Sequence, residues 1–332
     1  MRIKDKVAVI TGGSSGIGAS LVKTLVTSGA KVVFGDIDQV LGEKLAEGLN
    51  KEHKDSTVFV LCDVTDKNQY LNLFLVAEKT FGGIDVYKVA VITGGSSGIG
   101  ASLVKTLVTS GAKVVFGDID QVLGEKLAEG LNKEHKDSTV FVLCDVTDKN
   151  QYLNLFLVAE KTFGGIDIVC NNAGIAQANE FYDDSRNFIK TINVNLTAVI
   201  EGTQIGIKFL KKRGGGVIIN TASMSGVNPW SVAPVYSAAK SGVIGFTRAL
   251  YNLKKENIRV NAIAPYFAET AMVKVAIEKN PDFAEVIKRH GTLSTNEVVN
   301  AFIHVIENDY LFADIVKVTQ KNLFEVLPKV KL

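Results

Sequence analysis

The sequence predicts an α/β protein built on a doubly wound parallel sheet, with its first half spelled twice. Three observations predict it. Short β-branched runs alternate with stretches of helical spacing, the pattern of parallel strands whose crossovers cover both faces of a sheet. The first of those runs leads straight into a glycine-rich turn that opens a helix. Residues 6–85 and 88–167 are the same 80 residues, letter for letter. Set aside one copy, and about 250 residues remain, the size of one ordinary α/β domain.

Within the repeated block, Val7–Thr11 is a β-branched strand, and residues 17–28 carry apolar groups at helical spacing (Leu21, Leu25, Val26) before Gly29 stops them. Residues 31–35 form a second strand, 39–51 a helix, 57–62 a third strand and 67–81 a third helix. The unique part continues the alternation. Residues 166–170 read as a strand, 189–212 as a long helix, 217–221 as a strand, 235–255 as a helix and 259–263 as a strand. A mixed segment spans 264–291, followed by a helix at 297–306 and a last strand at 314–318. The tail, 323–332, is amphipathic and suits a surface or an interface.

The junction between the copies decides the architecture. Residues 84–86 begin a fourth strand, yet they run through Tyr87 directly into the first strand of the second copy. Parallel neighbours need a crossover, so one copy must lie outside the catalytic sheet. The copies are identical, so only chain connection separates them, and loop closure costs just about 0.6 kcal/mol per doubling of length. The expectation is therefore a complete domain over 88–332 and an appended half-domain over 1–87, whose open sheet edge invites swapping or association.

Composition narrows the function. With 46% hydrophobic and 22% charged residues and a net charge of +2, the chain reads as a soluble globular protein with ample material for a core and suggests neither a nucleic-acid binder nor an acidic tail. The most basic run, Lys211-Lys212-Arg213, reads as a helix C-terminus ahead of three glycines. Three cysteines, of which Cys62 and Cys144 are copies, form no disulfide framework and fit the cytoplasm. The four histidines show no metal-ligand spacing, and the apolar start at 7–10 is too short for a leader or a membrane span.

The turn Thr11-Gly12-Gly13-Ser14-Ser15-Gly16-Ile17-Gly18, repeated from Thr93 to Gly100, carries the clearest chemistry. Its glycines let backbone approach a pyrophosphate at the positive end of the next helix. Eighteen residues after the last glycine stands Asp36, or Asp118 in the second copy. A carboxylate there accepts from an adenosine ribose and repels a 2′-phosphate, which favours NAD.

Together with Asn171-Asn172-Ala173-Gly174, Ser223 and Tyr236-x-x-x-Lys240, this turn makes nearly the whole chain resemble the short-chain dehydrogenase/reductase family, of classical type and Rossmann-type fold. A second Tyr-x-x-x-Lys, Tyr251 and Lys255, lacks a serine 13 residues earlier and reads as a solvated helix face. The resemblance implies Tyr236 as general base, Ser223 as the hydrogen-bond donor to the substrate oxygen, Lys240 on the nicotinamide ribose, and Asn195 supporting a proton-relay water. A phenol titrates near about 10, and the Lys240 ammonium with a cationic nicotinamide is expected to favour its phenolate at lower pH.

By the same resemblance Gly94, Ser96, Gly98, Ile99, Gly100 and Asp118 bind NAD. Asp145 and Val146 contact adenine, Asn172, Ala173 and Gly174 line the cofactor, and Pro265 and Thr270 flank the carboxamide. Gly12, Gly16, Gly18, Asp36 and Asp63 repeat part of this set. The chain departs from the family at Tyr266, where the family carries glycine; a tyrosine there loses positive φ and adds bulk near the nicotinamide.

Phe267, Met272, Val275, Ile277 and Trp230 suggest an apolar pocket for a lipophilic secondary alcohol. The runs Val298-Val299-Asn300-Ala301, Ile306-Glu307-Asn308-Asp309 and 316–319 look like the hydroxyprostaglandin dehydrogenase-like branch, whereas Ala233 offers no polar contact for a prostaglandin itself. A homodimer or homotetramer acting on a small alcohol or ketone is expected. Two other readings stand beside this one: an NADP(H) carbonyl reductase of the same family, and a silent nucleotide-binding protein disabled by the duplication or by Tyr266.

Overall fold

A computed structural model describes residues 3–4, 6–81, 88–176, 188–279, 284–285, 287–288, 291–319 and 324–328. The chain divides into two compact units, Met1–Val86 and Tyr87–Leu332.

In the first unit β1 (Val7–Thr11), β2 (Lys31–Asp36) and β3 (Thr57–Leu61) form a three-stranded parallel sheet in that order, with α1 (Gly16–Thr27), α2 (Gln39–Glu52) and α3 (Lys67–Phe81) between and after them. Local chemistry sets the element ends. Asp38 caps α2 by accepting from the Leu41 amide at 3.0 Å, and Gly29, at φ 88°, turns the chain out of α1.

The second unit repeats this as β4 (Val89–Thr93), α4 (Gly98–Thr109), β5 (Lys113–Asp118), α5 (Gln121–Glu134), β6 (Thr139–Leu143) and α6 (Lys149–Phe163). Gly164, left-handed at φ 77°, ends α6, and the chain enters β7 (Ile168–Asn171). There follow α7 (Phe188–Ile192), a wide π turn at Asn193–Thr197, α8 (Ala198–Arg213), β8 (Gly216–Thr221), α9 (Met224–Val227) and α10 (Pro234–Ala249). A 3-10 segment at Tyr251–Glu256 leads to β9 (Ile258–Pro265), then α11 (Ala271–Lys279), α12 (Thr295–Glu307), β10 (Ile315–Val318) and β11 (Phe324–Val326).

The sheet order is β11-β10-β9-β8-β7-β4-β5-β6, and all but β11 run parallel. One core layer joins β4, β5 and β7 to α4 and α12; the other packs α6 and α8 on the opposite face. This is the doubly wound α/β class that the alternation predicts.

Three local expectations are corrected. The long helix at 189–212 opens into the π turn at Asn193–Thr197, which shifts helical phase by one residue. The helix expected over 235–255 ends at Ala249, because the chain tightens to 3-10 geometry and Asn257 takes a left-handed φ of 59°. Tyr251 and Lys255 therefore do not share an α-helical face. Part of the tail is strand: β11 pairs antiparallel with β10, and Lys317 Nζ lies 3.1 Å from Glu325. The strand expected at 84–86 lies outside the described residues. No helix among the described residues is long and apolar enough to cross a membrane.

Candidate active site

The sequence-predicted residues of the second unit gather at the C-terminal ends of β4, β5, β7, β8 and β9. Between β4 and α4, Gly94 and Gly98 hold φ of 65° and 52°, so the turn adopts a left-handed path closed to side-chain-bearing residues. Gly100 packs directly on it, since a Cβ there would fall 1.9 Å from Gly94 O. Ile99 packs half-buried against the core behind the turn.

The Ser96 amide donates to Asp118 Oδ2 at 2.9 Å and the Asp120 amide to Oδ1 at 3.1 Å, which pins that carboxylate at the end of β5. The buried Ser96 hydroxyl has no hydrogen-bond partner among the described residues. Positive-φ glycines, an aimed carboxylate and an orphaned hydroxyl fit a nucleotide phosphate and ribose. Asp145 is exposed and accepts from Thr147, while Val146 beside it is buried.

The loop after β7 clamps the turn from the other side. The Asn172 and Ala173 amides donate to Thr93 Oγ1 at 3.0 and 3.1 Å, and the Asn172 side chain donates to the Thr93 and Gly94 carbonyls. Gly174 marks the point of convergence: a Cβ placed there would lie 2.9 Å from Asn195 Oδ1 and 3.8 Å from Lys240 Nζ. Asn195, fully buried in the π turn, accepts from the Ile175 amide at 3.0 Å and donates to the Ile175 carbonyl at 2.8 Å.

Ser223 caps the short α9, and its Oγ accepts from the Ser225 amide and lies 3.1 Å from Ser225 Oγ. Ser223 also hydrogen-bonds the Tyr236 phenol. Lys240, one turn further along α10, donates to the Thr221 carbonyl at 2.7 Å, and its Nζ sits 5.7 Å from the Tyr236 ring centre. Burial pushes the Tyr236 phenol up to about 12 against the lowering pull of Ser223. Burial likewise depresses Lys240 to about 8. Among the protein's own groups, desolvation outweighs the Ser223 hydrogen bond at Tyr236.

Tyr266 also departs from expectation. Its φ is outside the left-handed region, its amide donates to the Val318 carbonyl at 3.1 Å, and its ring packs half-buried against two core clusters. Tyrosine is unstrained there. Pro265 ends β9, and Thr270 lies over the phosphate turn, its Cγ2 3.1 Å from where a Gly98 Cβ would be. Trp230 stacks on Phe267 with ring centres 4.5 Å apart.

The sequence reading missed the polar layer beneath these groups. The Tyr152 hydroxyl donates to Asn171 Oδ1 at 2.9 Å, and Asn171 Nδ2 donates to Asn220 Oδ1 at 2.8 Å and Thr203 Oγ1 at 3.1 Å. Asn220 in turn donates to Thr247. The signal available was two asparagines inside apolar strands, where an unpaired amide is costly.

In the first unit Gly12 and Gly16 hold φ of 64° and 50°, a Gly18 Cβ would strike Gly12 O, and the Ser14 amide donates to Asp36 at 3.0 Å. Asp63 accepts from Thr65. That unit has no counterpart of Asn172, Asn195, Ser223, Tyr236 or Lys240.

Comparison with known proteins follows this division. Residues 6–87 and 88–281 each match the family model described as short chain dehydrogenase. The chain is 35% identical over 249 residues to 15-hydroxyprostaglandin dehydrogenase [NAD(+)] of Mus musculus, covering 70% of this chain and 90% of that protein. It is 34% identical over 239 residues to 3alpha-hydroxysteroid dehydrogenase of Mediterraneibacter gnavus, covering 70% and 95%. The crystal structure of 3-ketoacyl-(acyl-carrier-protein) reductase from Brucella melitensis, complexed with NADH, superposes with a TM-score of 0.63 at 27% identity, covering 71% of this chain and 98% of that one.

Proposed function

The chain belongs to the short-chain dehydrogenase family, an oxidoreductase acting on CH–OH groups with a nicotinamide cofactor, and we propose that residues 88–332 form its working enzyme. It oxidises a lipophilic secondary alcohol to a ketone with NAD. The observation that carries this reading is the hydrogen bond between Ser223 and Tyr236, with Lys240 stationed over the phenol ring.

Gly94, Ser96, Gly98, Gly100 and Asp118 would hold the adenosine and pyrophosphate, and Asn172–Gly174, Pro265 and Thr270 the nicotinamide side. Asp145 and Val146 flank the adenine. The negative Asp118, fixed by two backbone amides, disfavours a 2′-phosphate and supports NAD over NADP. When bound, the nicotinamide supplies a hydride acceptor.

The protein's own groups handle the hydroxyl. Ser223 donates to the carbinol oxygen and fixes it. Tyr236 takes the hydroxyl proton at its phenolate oxygen as the C–H electron pair leaves and the C=O bond forms. A phenol at about 12 needs neighbouring positive charge to act near neutrality, and Lys240 is the cation the fold places beside it. Both ends of the Asn195 amide engage the Ile175 backbone, so Asn195 serves as a positioning residue; the carbonyl keeps a second lone pair for a relay water.

The stacked Trp230 and Phe267, with Met272, Val275 and Ile277 on α11, support an apolar substrate. Gly12, Gly16, Gly18, Asp36 and Asp63 repeat only the adenosine side, so the first copy could bind that half of the dinucleotide but could not turn over alcohol.

The test is NAD turnover across secondary lipid and sterol alcohols. Tyr236→Phe is expected to lower kcat by about 10²–10⁴-fold while NAD binding persists. Turnover of none of the alcohols, or turnover indifferent to Tyr236→Phe, overturns the reading.

A further inference from the structure

The two copies are the same surface in two settings. In the second unit, β4 pairs with β7 in the register Ala90↔Ile168, Val91↔Val169, Ile92↔Cys170, and all three β4 residues are fully buried. Leu103 and Tyr152 are buried there too. In the first unit, among the described residues, β1 pairs with β2 alone, Leu21 is 46% exposed and Tyr70 39%. Every side chain that the unique half touches in the second copy is therefore present in the first, where Leu21 and Tyr70 stand exposed among the described residues.

We propose that the copies exchange within one chain: the first takes the second's place against β7 and the rest of the unique half, and the second is extruded as an insertion. The ends of the second copy make this geometrically feasible. The Asp167 amide donates to the Val89 carbonyl at 2.9 Å, and the Val89 amide donates to Asp167 Oδ2 at 2.9 Å. Lys88 Nζ lies 3.4 Å from the same carboxylate. The chain thus enters and leaves the second copy at one point, and extruding that body separates Asp85 from Ile168 by two adjacent ends, not by a wide gap.

That point is at the N-terminal ends of β4 and β7, the edge of the sheet opposite the Gly94–Gly100 turn and Ser223, so an insertion there leaves the site uncovered. The apolar face of the unique half that the second copy vacates is filled by the identical face of the first. The arrangement is a two-state element whose halves differ in connection alone. Tethering keeps the competing copy at high local concentration, which favours the internal exchange over pairing with a second molecule.

The register supplies a trap. Ile92 pairs with Cys170 in the same core layer, so Ile10, its counterpart, faces Cys170 only after exchange. The full chain carrying Ile10→Cys is purified reduced, then incubated with oxidised glutathione, and disulfides are mapped by peptide mass spectrometry. Ile92→Cys reports closure in the present arrangement. Ala8→Cys, whose counterpart Ala90 faces Ile168, reports background.

The expected result is a link from position 10 to Cys170 within monomeric chains. It should rise at least about tenfold above the Ala8→Cys background and form more slowly than the Ile92→Cys link, because the copies must trade places first. No rise above background while Ile92→Cys closes overturns the exchange. A link found only between chains and scaling with concentration also overturns it, in favour of pairing with a second molecule.

Discussion

Val64 is 55% exposed and Val146, the same residue of the same sequence, is 6% exposed. Leu21 and Leu103, and Tyr70 and Tyr152, differ in the same direction. Local geometry is closely shared. Asp38 and Asp120 cap their helices at the same 3.0 Å, and the Ser14 and Ser96 amides reach Asp36 and Asp118 at 3.0 and 2.9 Å. The described residues of the two copies thus fold alike at short range and each copy packs a core of its own, but only the second gains a further core layer and a clamp on the glycine-rich turn from β7 to β10. Gly12 shows the same thing at atomic scale: a Cβ there would meet nothing within 4 Å, whereas one at Gly94 would lie 2.8 Å from Ala173.

Four outcomes test this contrast. The largest is chemical. Tyr236→Phe should lose about 10³-fold in kcat, within the usual range for a general base, whereas Tyr70→Phe in the first copy should leave kcat unchanged in the same assay. Next comes packing. In the oxidised Ile92→Cys chain, where a disulfide to Cys170 stops the copies trading places, Leu103→Ala should cost about 2–4 kcal/mol in the main denaturant transition and Leu21→Ala less than about 1. Equal losses would mean the first unit is as tightly packed as the second.

The third outcome concerns Lys240, whose folded pKa of about 8 lies below its unfolded 10.5. Between those values the unfolded chain holds a proton that the folded chain lacks, so the Lys240 contribution to stability rises with pH across that window and is lost as pH falls toward 8, against the opposite slope that the buried Cys144 and Cys170 thiols contribute above their unfolded values. Lys240→Met should flatten that rise, worth on the order of 1–3 kcal/mol, in melts at pH 8 and pH 10. The smallest effect is expected from deleting residues 6–87: kcat/KM should stay within about twofold, since every group proposed to touch the substrate lies in 88–332. A large loss would give the first unit a part in catalysis.

Much of this was legible in the chain. Strand, turn and helix in the repeated block follow from β-branched runs, Gly29 and the Asp38 cap, signals that act within a few residues. Ser223, Tyr236 and Lys240 were legible because their spacing along one strand end and one helix is local geometry. The π turn holding Asn195 was not: residues 193–197 contain no breaker, and the extra residue is accommodated where Asn195 grips the Ile175 backbone across 20 positions. Nor was the fate of Tyr266, whose ring is stabilised by two core layers brought together from distant segments. Nor was the upward push that burial gives the Tyr236 phenol, since desolvation depends on what closes over a group.

The sequence by itself determined the class of sheet, the glycine-rich turn, the carboxylate behind it and the groups proposed for catalysis, because each is written in spacings shorter than about 20 residues. It also determined that both copies carry the same binding surface. Which copy is buried, how the Asn171–Asn220 layer supports the site, and where the Tyr236 phenol titrates were decided by tertiary structure. Identical side chains have identical propensities, and where the copies differ in burial or hydrogen-bond partners, the company brought by β7 to β10 sets the difference.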